Sequence, residues 1–266
     1  THHTFNPWWG CAKVSPACEN CYAEAWAKRV GNKVWGTKAP RRFFGDDHWR
    51  EPLKWNAEAE KLGVRYRVFC ASMADVFENR SDLNDARTRL WALIEATPNL
   101  DWLLLTKRPE HVAKLAKWGD LWPDNVWLGT TVENQEWADK RMPHLLAVPA
   151  KTRFLSCEPL LGNIDLSAYV KKGQKPQIHW VITGGESGPH SRPMNPEWVR
   201  GLRDFCRKAK VAFHFKQWGH WAPAELLTKE QKNVIIVGDI EMAAAGKKVA
   251  GRLLDGRTWD ELPRSA

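Results

Sequence analysis

Apolar positions along this chain follow two alternating periods. Short aliphatic and β-branched runs recur between stretches whose apolar side chains return every three or four residues. The runs predict strands over Arg67–Ser72, Trp102–Thr106, Val126–Thr130, Arg153–Cys157, His179–Thr183 and Val211–Lys216, with a short opening strand around Thr4–Trp8. The longer period predicts helices over Tyr22–Val30, Pro52–Leu62, Asn84–Ala96, Pro109–Lys117, Gln135–Leu146 and Pro196–Ala209. Asn195 followed by Pro196 marks a helix start, a capping amide and then proline at the first helical position. Arg29–Gly45, rich in Gly, Lys and Arg, reads as a long loop. Seven strands with helices between them predict an α/β fold, a partial or near-complete (βα) TIM-like barrel of parallel strands. No low-complexity linker interrupts it. Residues 1–266 therefore read as one domain, with a mixed C-terminal cap over roughly 220–266 whose Gly251–Pro263 stretch is turn-rich.

Composition narrows the function. The chain has 266 residues and is 43% hydrophobic, enough for a sizeable core. No apolar run approaches the length of a membrane span and no signal peptide is evident, so no membrane partner is expected. Cys70, Cys157 and Cys206 are scattered through apolar segments and read as core residues; with no disulfide framework, the expected setting is cytoplasmic. The formal charge of +9 and 17 tryptophans point to a polyanionic partner such as nucleic acid. Most of those tryptophans should nevertheless be core.

The remaining cysteines carry the chemistry. Cys11, Cys18 and Cys21 form a C-x6-C-x2-C loop ahead of the first predicted helix. Three thiolates are one short of a closed tetrahedral site. That leaves two metal readings open: a four-iron cube with one open iron, or zinc with a fourth ligand such as His2 or His3. Unligated thiols are the third possibility. In a barrel, chemistry sits at the C-terminal strand ends. Here those ends read Ser72 and Asp75; Thr106, Lys107 and Arg108; Thr131, Glu133 and Asn134; Ser156, Cys157 and Glu158; Gly184, Gly185 and Glu186; and Lys216, Gln217 and Trp218. The Gly184–Gly188 turn lets backbone approach a ligand, and Glu186 suits a cationic amine. Lys216 suits a carboxylate or phosphate, or a carboxylate of the chain itself.

The cysteine loop at the first βα junction, together with a barrel and a Gly-Gly-Glu turn, resembles the radical S-adenosylmethionine (SAM) superfamily. More closely, the chain resembles a phage and prophage family of radical-SAM-like proteins. That resemblance is carried by Asn6–Cys11, Ser72–Phe77, Leu105–Pro109, Phe154–Leu160, Gly184–Gly188, Phe215–Gly219 and Gly251–Gly256. It implies a [4Fe–4S] cluster on Cys11, Cys18 and Cys21, with SAM bound at the open iron and cleaved by one electron from a donor protein. From their places at strand ends, Ser72, Asp75, Thr131, Glu133, Asn134, Gly184 and Gly185 are the candidate cofactor contacts, with Ser72 or Asp75 for the SAM amine, and Glu186, Lys216 and Glu158 the candidate catalytic residues. Two features depart from the superfamily pattern: the cysteine spacer is six residues rather than three, and the Gly-Gly-Glu turn follows a late strand. The implied substrate is phage DNA. The implied reaction is a thymidine hypermodification that isomerises an N-linked glycine on the base to a C-linked one.

Overall fold

The computed structural model describes residues 1–170, 175–188, 190–229 and 233–263. In chain order its elements are β1 (His3–Thr4), β2 (Trp8–Trp9), α1 (Tyr22–Arg29), β3 (Arg42–Phe43), α2 (Asp46–Leu62), β4 (Tyr66–Cys70), α3 (Asn84–Glu95), β5 (Leu100–Thr106) and α4 (Val112–Leu115). They continue as β6 (Val126–Thr131), α5 (Gln135–Ala147), β7 (Thr152–Cys157), β8 (Trp180–Gly184), α6 (Pro196–Ala209), β9 (Ala212–Gln217), β10 (Trp221–Pro223), β11 (Val234–Val237), β12 (Ile240–Ala244) and α7 (Lys247–Ala250). The main sheet has seven strands in the order β1-β4-β5-β6-β7-β8-β9. The fold is thus α/β on a seven-stranded sheet, as the alternating periods predict.

Two compact units divide the chain: Thr1–Ser15, Ala23–Thr130 and Pro143–Arg153 form the first, and Pro16–Tyr22, Thr131–Met142 and Phe154–Ala266 the second. In the first unit β1 pairs with β4, β4 with β5 and β5 with β6, all parallel, in registers that set His3 beside Val68, Tyr66 beside Leu100 and Trp102 beside Val126. Parallel strands covered on both faces read as continuous apolar runs rather than alternations. β6 is buried at every position, and β5 at all but Asp101 and Leu105. Trp102 is fully buried and still satisfied, its indole N–H donating to Thr97 Oγ1 at 3.0 Å.

In the second unit β7, β8 and β9 are parallel, with Phe154 beside Trp180 and Trp180 beside Ala212. Asn195 Oδ1 accepts the Glu197 N–H at 2.8 Å and Pro196 opens α6, as the cap signal predicts. The buried positions Val199, Leu202 and Cys206 lie on one face of that helix at i, i+3 and i+7. Cys70 and Cys157 are fully buried with Cys206, as expected of core thiols. Ten of the 17 tryptophans are likewise buried.

Three sequence expectations need correction. The opening strand is two short pieces: β1 joins the main sheet, whereas β2 pairs antiparallel with β3, which lies in the expected loop. Asn6 and Pro7 separate the pieces; proline offers no N–H to a ladder. α2 begins at Asp46, not Pro52. Proline is favoured at a helix start, so Pro52 looks like one, yet it lies inside the helix, buried with Trp49 and Ala59. The expected helix over Pro109–Lys117 is a 3-10 turn and then α4, ending where Ala116 turns extended. In the mixed C-terminal region β10, β12 and β11 form an antiparallel sheet. No helix among the described residues is long and apolar enough to cross a membrane.

Candidate active site

In the first unit the polar strand ends converge on one buried carboxylate. Beyond β4 the chain turns at Asp75, whose Oδ1 accepts from Thr106 Oγ1 (2.8 Å) and the Phe77 N–H (3.0 Å). Its Oδ2 accepts from the Lys107 N–H (3.0 Å) and from Arg108 Nη1 (2.9 Å). Thr106 Oγ1 in turn accepts the Arg108 N–H at 2.9 Å. Burial alone would raise the Asp75 carboxyl; the Arg108 charge and these donors outweigh it and hold the group below its ordinary range. Arg108 also reaches the cysteine loop. Its Nη2 donates to the Ala12 carbonyl at 2.7 Å and its Nη1 lies 3.6 Å from Cys11 Sγ. Burial pushes the Cys11 thiol up to about 11, opposed by the neighbouring guanidinium. Ser72 is tied to Asn6, whose amide donates to Ser72 Oγ at 3.1 Å and whose oxygen accepts the Met73 N–H at 2.7 Å.

Just before Cys11, the chain fits only because position 10 is glycine. Gly10 sits at φ +118°, and a Cβ there would fall 2.4 Å from the Val34 carbonyl oxygen. The loop beyond, from Val34 to Ala39, is gathered by Arg41. This buried guanidinium donates to Val34 O, Ala39 O and Gly36 O and pairs with Glu78 at 2.6 Å.

In the second unit, Glu133 and Glu186 both hold the segment Pro16–Tyr22, which carries Cys18 and Cys21. Glu133, fully buried, accepts the Ala17 N–H at 3.3 Å and pairs with Arg141 at 2.7 Å. Glu186 Oε2 accepts from Asn20 Nδ2 (2.9 Å) and from the Arg192 N–H (2.8 Å), and its Oε1 accepts from Arg192 Nη2 (2.6 Å). The same arginine reaches the Pro16 carbonyl at 2.9 Å and Glu19 at 2.8 Å. Burial would raise the Glu186 carboxyl, but the bonds from Arg192 and Asn20 leave it below its ordinary value. Glu186 thus spends its oxygens on the chain's own cations and amides. The Gly-Gly-Glu turn is built for close backbone approach: a Cβ on Gly185 would come within 1.8 Å of the Trp218 carbonyl oxygen.

Glu158 and Lys216 meet at the ends of β7 and β9. Glu158 Oε1 lies 2.9 Å from Lys216 Nζ, and the Ser156 hydroxyl donates to Oε2 at 3.4 Å. The lysine side chain remains 53% exposed. The Glu158 charge raises the Lys216 ammonium above its ordinary value, outweighing burial. Gly184 stands against this pair, since a Cβ there would approach Glu158 Oε1 to 2.9 Å. Asn134 spends its side-chain oxygen on the Trp137 N–H at 3.1 Å, capping α5. Thr131 is buried, with no partner for its hydroxyl among the described residues.

Most predicted site residues therefore fall into three groups: Cys11, Ser72 and Asp75 in the first unit; Glu133 and Glu186 around the segment of Cys18 and Cys21; and Glu158, Gly184 and Lys216. Asn134 instead caps α5, Gly185 packs on the Trp218 backbone, and Thr131 joins none of the three. Arg41, Arg141 and Arg192 were missed as organising residues. An arginine among many has no periodicity, and only the fold reveals which carboxylate it meets.

A metal or cluster would depend on the thiols. No cysteine is in a disulfide; Cys11, Cys18 and Cys21 are partly exposed, whereas the other three are buried. Among the described residues, no three or more His, Cys, Asp or Glu side chains form a group arranged to hold a metal ion. By type the donors nonetheless suit an iron–sulfur cluster, being three thiols close together in the sequence, and the guanidinium N–H that faces Cys11 opposes the rise that burial gives its thiol.

The chain belongs to a family described as proteins of unknown function, DUF5131, whose profile matches residues 1–263. No curated protein and no solved structure matches it.

Proposed function

We propose that this member of DUF5131 is an iron–sulfur enzyme of the radical SAM type that modifies bases of nucleic acid. The observation that carries the reading is the contrast among its thiols: three partly exposed within one short stretch of sequence, three buried in the core. Cys11, Cys18 and Cys21 would hold the [4Fe–4S] cluster. When bound, the cluster and SAM supply a one-electron cleavage of a sulfonium, which starts hydrogen abstraction; the electron comes from a donor protein.

The chain's own residues have definite tasks in this reading. Arg108 donates an N–H toward Cys11 and opposes the burial that disfavours its ligating thiolate form. Glu133, Glu186 and Arg192 fix the backbone of Pro16–Tyr22 so that Cys18 and Cys21 are presented in a constant geometry. Lys216, half exposed and paired with Glu158, supplies a cation for a substrate or SAM carboxylate. Thr131, with an unspent hydroxyl, supplies a polar contact for the cofactor. The sheet order follows the chain without reversal. That order favours a partial (βα) barrel over a doubly wound sheet, which reverses direction at a switch point, and the proposed reading puts the cysteine loop at the first βα junction. The substrate best suited to a basic, tryptophan-rich chain is a base taken out of its stack. Within that class the reaction proposed is isomerisation of a base-linked glycine from nitrogen to carbon attachment in phage DNA.

The test is anaerobic purification followed by iron and sulfide analysis and electron paramagnetic resonance of the reduced protein, with and without SAM. About four irons per chain and a signal that shifts with SAM are expected. One zinc per chain and no iron would overturn the enzyme reading in favour of a zinc-stapled nucleic-acid-binding protein. An intact, SAM-responsive cluster that leaves glycine-bearing DNA unchanged would overturn only the substrate.

A further inference from the structure

Between Ala25 and Gly45 the chain contains no acidic residue and six basic ones: Lys28, Arg29, Lys33, Lys38, Arg41 and Arg42. Two of these are neutralised internally, Lys28 by Glu24 at 2.7 Å and Arg41 by Glu78. Arg29, Lys33, Lys38 and Arg42 are all exposed, and none forms an ion pair among the described residues. Elsewhere many surface arginines and lysines of this protein have a carboxylate partner, as Arg50, Lys54, Arg65 and Arg89 do in the same unit. A run of uncompensated cations is unfavourable through self-repulsion unless a polyanion covers it.

Aromatic faces accompany these charges. Phe43 is 49% exposed and Trp26, the most open tryptophan, 48%. Beside Phe43, the Arg42 guanidinium lies over Trp9 at 4.7 Å and over Phe44 at 5.4 Å from the ring centroids. This stacking holds Arg42 extended without neutralising it. The supporting backbone is rigid, with β3 registered on β2 and the loop preceding it pinned by the Arg41 donors to Val34, Gly36 and Ala39. The surface is therefore built in advance, with spare charge and open rings.

We propose that this stretch is a binding surface for single-stranded nucleic acid, with Arg29, Lys33, Lys38 and Arg42 meeting phosphates and Phe43 stacking an unpaired base. Open aromatic faces favour single strands, because in a duplex the base faces are already stacked on one another. The inference rests on the nucleic-acid part of the proposed function and needs no cluster.

Fluorescence anisotropy with a labelled single-stranded oligonucleotide of mixed sequence tests it, over a salt series and against the matching duplex. The single strand is expected to bind tighter than the duplex, with a log K against log[salt] slope that becomes shallower by about 0.7 for each phosphate-contacting cation removed. Arg42→Gln should show that change. Phe43→Ala should weaken binding roughly tenfold at constant salt. The quadruple variant Arg29→Gln, Lys33→Gln, Lys38→Gln, Arg42→Gln should lose most binding. A control that removes the exposed Lys61, Lys114, Lys208 and Lys247 instead should keep most of it. Equal losses in both quadruple variants, or an unchanged Phe43→Ala, would overturn the surface while leaving nucleic acid as a partner. No binding of either oligonucleotide by the unaltered protein at low salt would overturn the surface and the nucleic-acid substrate together. The iron–sulfur reading would then still stand or fall by its own metal analysis.

Discussion

Two carboxylate–cation pairs stand at strand ends in this protein, and they are opposite in character. In the first unit, Asp75 and Arg108 are each 7% exposed, and both carboxylate oxygens are fully subscribed by a hydroxyl, two backbone N–H groups and the guanidinium. In the second, Glu158 is 19% and Lys216 53% exposed, and the carboxylate has one ion pair and one long hydroxyl contact. The first pair has no capacity left for a ligand, and what it offers outward is one N–H directed at Cys11. The second keeps a charged nitrogen accessible. Polar residues at strand ends therefore divide into those that build a site and those that remain available to bind, and saturation of their hydrogen bonds separates the two.

The largest effect should come from breaking the sealed pair. Arg108→Met strands Asp75 as a buried charge and should cost about 3–5 kcal/mol, read as a lower urea midpoint at unchanged slope. The double variant Arg108→Met, Asp75→Asn should recover part of that loss, because it removes the stranded charge. Next in size, Glu186→Gln removes the charge that Arg192 and Asn20 address. It should cost about 1.5–3 kcal/mol and quicken alkylation of Cys18 and Cys21 in metal-free protein, while Cys11 labels at its former rate. Unchanged labelling would mean that Glu186 does not hold the segment Pro16–Tyr22.

The acid limb of stability sharpens the same contrast. Asp75 and Glu186 both have folded-state values below their ordinary 3.8 and 4.5. Their stabilisation is therefore complete above those ordinary values and disappears as the pH falls through the lower folded ones. Thermal melts between pH 6 and 2.5, a range chosen to bracket ordinary carboxylate values of about 4, should show a steep acid loss that is shallower in Glu186→Gln. The smallest effect on stability belongs to Lys216→Met, within about 1 kcal/mol, because a half-exposed pair is screened by solvent. If the urea midpoint instead falls as far as in Arg108→Met, the distinction between sealed and available pairs fails. Under the proposed function, this same variant should lower turnover far more than stability.

Legibility in the sequence followed how local the cause was. The strands β4 to β9 could be read because each is a short apolar run between polar ends, and α6 because Asn195 and Pro196 act within their own turn. β3 was not legible: two residues, Arg42 and Phe43, become a strand only because Trp8 and Trp9 lie opposite them. The same distinction applies to the site. Cys11, Cys18 and Cys21 announce themselves by spacing, and Glu186 by its glycines. Glu186's partner Arg192, and the pairing of Arg108 with both Asp75 and Cys11, have no local signature.

What the sequence determined by itself was the strands β4 to β9, the α/β class, the thiol loop and the excess positive charge, all properties of neighbouring residues or of totals. The tertiary structure decided which charges are spent and which are free. It turned Glu186 from a candidate ligand group into a brace and left Lys216 open. Among the described residues it also left four cations between Ala25 and Gly45 without a carboxylate. The physical reason is that a charge is neutralised by what lies within a few ångströms, and folding, not chain order, sets that distance.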